Sequence, residues 1–195
     1  MQRRQRSVYA VFTVLFAFLL LAPHFGQGHV QASTYSWNIY SQYIEYQPTG
    51  ERFYHKSCGQ VNNATQGYFR LPNTYSSTNI AQYDVGNGRS VELDFGSCST
   101  YGMTHILARH APELFIGNPT QVQSFFNPGH PLGYYESIIG QIISNNRTQI
   151  LNNGFTSNGT VVYGNTPHGQ VRLVIKGGKV ITMYPNGWGL GERKY

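Results

Sequence analysis

Charged side chains are scarce in this chain: 14 Lys and Arg and 8 Asp and Glu occur in 195 residues. There is no acidic cluster of the kind that holds catalytic divalent cations. Nor is there a polybasic stripe, the one charge pattern that would mark a nucleic-acid surface by itself. Cysteine is limited to Cys58 and Cys98. The only long apolar run, Val8 to Ala22, is about 15 residues, short of the ~18–20 a spanning helix needs. Repeats and low-complexity linkers are absent, so nothing marks a second globular domain.

The apolar run follows Arg3, Arg4 and Arg6 and precedes Val30-Gln31-Ala32. A charged start, an apolar stretch and a small-residue cleavage site, in that order, make a secretory signal. Residues 1–32 are therefore expected to be removed. What remains is one exported domain of about 163 residues with no stable membrane insertion, large enough for a sizeable core. Three of the 14 Lys and Arg leave with the signal, so 11 face 8 acids, a net charge of +3. That balance is compatible with a polyanionic partner. The abundance of Tyr, Asn, Gly, Ser and Thr fits an extracellular bacterial domain with β-rich surfaces, acting as a monomer.

Export places both cysteines in an oxidising compartment, which favours a Cys58–Cys98 disulfide. Closing a loop of ~40 residues contributes about 4 kcal/mol on the chain-entropy model. The alternative is a zinc site from His55, Cys58, Cys98 and His105. However, His55-x-x-Cys58 is half of a ligand pair and Cys98 lacks a close partner. The disulfide is the expectation, with no metal and no cofactor.

Periodicity predicts an α+β fold with helices packed on an antiparallel sheet. Residues 33–97 read as a strand-rich part with turns at Pro48-Thr49-Gly50, Pro72-Asn73 and Gly86-Asn87-Gly88. Asn87-Gly88 joins Gln82–Val85 to Ser90–Phe95 as a hairpin. From Cys98 onward the helical period takes over. Ser99 or Thr100 is expected to cap a helix with Met103, Ile106, Leu107 and His110 on its apolar face, ended by Pro112. Asn118-Pro119 is expected to open a short helix through Phe126. A longer one is expected from Tyr134 to Leu151, with Tyr135, Ile138, Ile139, Ile142 and Ile143 as its stripe. Three strands close the chain: Thr160–Tyr163, Val171–Ile175 and Lys179–Tyr184.

The reactive segment is His105-Ile106-Leu107-Ala108-Arg109-His110. His105 and Arg109 are one helical turn apart and share a face. An imidazole that moves protons near neutral pH beside a permanent, forked cation suits phosphodiester chemistry. The cation should also depress the imidazole pKa and keep it a base. His110 falls about 140° away on the apolar face, where a buried imidazole bonded to backbone groups is expected; it is also a further candidate for the site. A zinc-protease helix is excluded, because the histidines are five apart and Ile106 stands where the glutamate belongs. In the last strand, alternation sends Val180, Thr182 and Tyr184 to one face and Ile181 and Met183 to the other. Thr182 and Tyr184 are then either a structural hydroxyl pair or a floor for phosphate.

With those residues in view, Met103 to Pro185 resembles the RNase A-like toxin domains at the C-terminus of bacterial contact-dependent inhibition and other polymorphic toxins. Their pattern is a helix H-T/I-x-x-K/R-H, a Ser-Phe segment, a long amphipathic helix and a final T-x-Y-P strand. Here these read His105 to His110, Ser124-Phe125-Phe126, Ile138–Leu151 and Thr182-Met183-Tyr184-Pro185. The wider barnase, EndoU, colicin and RelE-type nucleases have similar helix-plus-sheet parts. The resemblance makes 98–195 an RNase-like toxin core. It implies a metal-independent endoribonuclease using His105, Arg109, Thr182 and Tyr184, with RNA as substrate and a cognate immunity protein as inhibitor. Ala111-Pro112-Glu113 departs from the family's Gly-Lys/Thr-Asp, and Arg109 substitutes for a more distal arginine. Two other expectations remain open: a tyrosine-rich module binding glycans or cell-wall polymer through residues 35–54, and an inactive relative of the nuclease fold.

Overall fold

The computed structural model describes residues 35–117 and 123–194. The expected signal, residues 1–32, lies outside them. Residues 33–195 cluster as one compact unit. The described part contains strands β1 (Trp37–Ile39), β2 (Tyr43–Tyr46), β3 (Glu51–Tyr54), β4 (Asn79–Gly86) and β5 (Arg89–Asp94). Then come β6 (Gln123–Ser124), β7 (Thr160–Thr166), β8 (Gly169–Lys176), β9 (Lys179–Pro185) and β10 (Leu190–Arg193). Its helices are α1 (Cys58–Phe69), α2 (Gly102–His110), α3 (Leu132–Asn145) and α4 (Arg147–Asn153), with a 3-10 turn at Pro112–Leu114.

The class is α+β, and the strands form two five-stranded sheets, ordered β3-β2-β1-β10-β6 and β4-β5-β9-β8-β7. Each is antiparallel apart from one parallel junction, β1 with β10 and β5 with β9. Strands from 33–97 thus share both sheets with strands from 98–195. The β4–β5 hairpin turns through Asn87 and Gly88, both at positive φ (54° and 68°), as a two-residue turn with the twist of its strands requires. At the β5–β9 junction Lys179 Nζ bonds Glu92 and buried Asp94 at 2.8 and 2.5 Å. The α3 stripe of Tyr135, Ile138, Ile139, Ile142 and Ile143 is buried in one core cluster with Val162, Leu173 and Met183 of the second sheet. Each such side chain contributes about 1.5–3 kcal/mol.

Four expectations change. The strand-rich segment contains α1, opened by a reciprocal cap: Ser57 Oγ accepts from the Gln60 N–H and Gln60 Oε1 from the Ser57 N–H. α2 begins at Gly102 after Tyr101, with no side-chain cap, because Ser97 and Thr100 bond each other at 2.6 Å. Of the helix expected over 118–126, residues 118–122 lie outside the described residues, and Gln123–Ser124 is strand β6 paired with β10. The helix expected over 134–151 is two, broken at Asn146, whose Nδ2 donates to the Ile142 and Tyr163 carbonyls.

α2 starts hard against the end of β5 because Gly96 and Gly102 lack side chains. Both have positive φ, and a Cβ on Gly96 would sit 1.8 Å from the Tyr101 oxygen. The Cys58–Cys98 disulfide ties α1 to the loop before α2. It removes the zinc alternative, since both thiols are consumed.

Candidate functional site

The β8–β9 hairpin turns at Gly177-Gly178, and an uninterrupted register would pair Leu173 with Thr182 and Val171 with Tyr184. Leu173 and Val171 are core residues, so both hydroxyls would be forced inward. Instead Ile175 pairs with Val180 and Val174 with Thr182, leaving Ile181 as an extra residue. This bulge corrects the expected alternation. Val180 joins Met183 in the core, while Thr182 and Tyr184 turn together to the opposite face. Re-aiming a side chain is what a bulge does, at the cost of a locally broken ladder.

α2 packs beside β9 and brings its C-terminal half to the same face. A polar cleft of about 420 Å³ forms there, lined by Ser99, His105, Arg109, His110, Gln123, Ser124, Thr182 and Tyr184. Four proposed site residues and the further candidate His110 therefore meet, from segments more than 70 positions apart in sequence. Contrary to the separation expected from the helical wheel, His105 and His110 flank one cleft.

His105, Arg109 and His110 are each held by a backbone atom or an amide. His105 is half-buried, and its Nδ1 lies 3.1 Å from the Cys98 carbonyl, next to the disulfide. A carbonyl can only accept, so Nδ1 carries the proton and Nε2 keeps its lone pair. Burial lowers the His105 pKa, the Cys98 carbonyl opposes this, and the Arg109 charge adds a smaller lowering. The direction is the expected one, with burial its larger cause. His110 is buried, and its Nδ1 bonds the Ser124 carbonyl at 2.8 Å. Burial pushes its pKa down to about 3. Its ring stacks on Tyr184 with centroids 5.2 Å apart.

Arg109 has no carboxylate partner among the described residues. Its Nη2 donates to Gln123 Oε1 at 3.2 Å, and Gln123 Nε2 donates back to the Arg109 carbonyl. Ser124 Oγ donates to the Pro185 carbonyl at 3.0 Å, buckling β6 to the end of β9. Thr182 Oγ1 is buried with no hydrogen-bond partner. An unpaired buried hydroxyl carries a desolvation cost. No group of three or more His, Cys, Asp or Glu suited to a metal ion occurs among the described residues.

Gln123 falls in a segment whose expected structure is a helix, so the sequence does not mark it as a site residue. Ser99, expected as a helix cap, lines the cleft instead. Comparison with protein-family models, curated proteins and solved structures finds no match to this chain.

Proposed function

We propose that this protein is an exported endoribonuclease, toxin-like in kind, that cleaves RNA without a metal ion. The observation that carries the reading is a cleft holding a neutral imidazole, an unneutralised guanidinium and an orphaned hydroxyl, with no carboxylate in its lining. Such a lining favours an anion with several oxygens, as a phosphodiester has.

His105 Nε2 takes the proton from the RNA 2′-hydroxyl. That oxygen attacks phosphorus, the bond to the 5′-oxygen breaks, and the products are a 2′,3′-cyclic phosphate and a free 5′-hydroxyl. Tyr184 gives its phenolic proton to the leaving oxygen. Arg109 and Thr182 hold the non-bridging oxygens, where charge grows in the transition state. His110, neutral and stacked on Tyr184, fixes the phenol in place. Export rests on the signal-like start and the disulfide. The test is the mature protein with a defined RNA oligonucleotide in chelator, read by mass spectrometry beside His105→Ala.

One observation favours a second reading, a binding module for glycans. On the first sheet Tyr40 and Tyr43 stack at 4.6 Å, Tyr54 lies 5.7 Å from Tyr43, and Arg52 sits 5.0 Å above Tyr43. Tyr54 is 60% exposed. Rings in a row suit sugar faces. Under that reading Tyr43→Ala abolishes binding to cell-wall polymer and His105→Ala has no effect.

A further inference from the structure

Resting on the ribonuclease reading, we propose that Arg172 and Tyr163 form a second RNA subsite beside the cleft, taking the neighbouring phosphate and its base.

The register places them there. Tyr184 on β9 pairs with Arg172 on β8, which pairs with Tyr163 on β7. The three side chains therefore stand in one row across three adjacent strands. They share the face opposite the core residues Val162, Leu173 and Met183, the face onto which the bulge at Ile181 turns Thr182. At ~4.8 Å per strand the row reaches about 10 Å from Tyr184. The row depends on the bulge, since an uninterrupted register would put Met183 opposite Arg172.

The chemistry of the row is complementary to single-stranded RNA. The Arg172 guanidinium lies 5.6 Å from the Tyr184 ring centre, approaching from β8 while His110 stacks on that ring from α2. None of the ion pairs among the described residues includes Arg172, and its Nε is buried with no hydrogen-bond partner. The two acids on the same face, Glu92 and Asp94, are bound to Lys179. Arg172 is thus a cation with no acidic partner among the described residues, on the strand next to the one that carries Thr182 and Tyr184. Tyr163 is 43% exposed, and its backbone is fixed by pairing to β8 and by the Asn146 side chain. A rigid exposed ring beside a phosphate-seeking cation is the platform on which unpaired bases stack.

The test uses two substrates and one binding probe. A dinucleoside monophosphate carries only the scissile phosphate, whereas a tetranucleotide reaches the second subsite. Arg172→Gln and Tyr163→Ala are expected to lower kcat/KM for the tetranucleotide by about tenfold, the scale of one base stack or phosphate contact. The loss appears in KM, and the dinucleotide stays within about twofold. Arg172→Lys and Tyr163→Phe restore most of it. Equal loss on both substrates, or no loss on either, overturns the subsite. Fluorescence anisotropy with a 2′-deoxy tetranucleotide, which this route cannot cleave, separates the two claims. If the wild type binds that probe, both variants weaken binding, and RNA is not cut, the subsite stands and the ribonuclease reading falls. If RNA is cut and the variants bind the probe as the wild type does, the subsite falls alone.

Discussion

At the scale of single residues the account turns on two histidines that burial treats differently. His105 stays half-buried with Nε2 free, and its pKa lies below the ordinary 6.5. As a base it works when neutral, so kcat/KM should rise with pH to a plateau with its midpoint below 6.5. Removing the charge in Arg109→Gln should move that midpoint upward, measured as a pH–rate profile. His105→Ala should lower the rate by roughly a hundredfold or more, and Thr182→Val should cost about 1–3 kcal/mol of transition-state binding. His110 instead governs stability. Its folded pKa, about 3, is below the unfolded 6.5, so between those values the unfolded chain binds the extra proton. The stabilisation is complete above pH 6.5 and is lost as pH falls toward 3, at up to about 1.4 kcal/mol per pH unit. Thermal unfolding of wild type and His110→Gln across that window should show the shallower slope in the variant. Equal slopes would mean that His110 is not buried neutral.

At the scale of elements, the bulge in β9 and the disulfide before α2 set the site geometry. Deleting Ile181 takes out the extra residue and leaves Val174 opposite Thr182 and Arg172 opposite Tyr184, so both hydroxyls keep the cleft face in an unbroken ladder. The expected outcome is retained cleavage with a melting temperature no lower than that of the wild type. Loss of cleavage in a folded deletion variant would show that the kink of the bulge, and not the face alone, aims these hydroxyls. Cys58→Ser/Cys98→Ser should lose stability on the order of 4 kcal/mol by denaturant titration, and should also slow cleavage, because the Cys98 carbonyl orients His105.

These elements differ in how legible they were. The stripe of α3 and the Asn87-Gly88 and Gly177-Gly178 turns follow from periodicity and from residues that tolerate positive φ. The Ser57-x-x-Gln60 capping signature of α1 is also written in the sequence, ahead of a mostly polar stretch. The bulge left no local trace, since Val180-Ile181-Thr182 reads as ordinary alternation until the core claims Val180 and Met183 together. Strands of two to four residues, such as β1, β6 and β10, hold too few side chains to display a period.

At the scale of the whole molecule, the cleft forms where β6 of one sheet, β9 of the other and the end of α2 converge. Its members lie at residues 99, 105, 109, 110, 123, 124, 182 and 184. Sequence alone picked out the chemistry-bearing His105, Arg109, Thr182 and Tyr184. It missed Gln123, whose role as a clamp on Arg109 exists only through the pairing of β6 with β10. With no carboxylate in the lining, cleavage should be indifferent to chelator. The most direct measurement is mass spectrometry of a defined RNA oligonucleotide incubated with mature protein and excess chelator, beside His105→Ala. The account predicts 2′,3′-cyclic phosphate and 5′-hydroxyl ends from the wild type and intact RNA from the variant. Intact RNA in both, or cleavage that returns only with added magnesium or zinc, would contradict it.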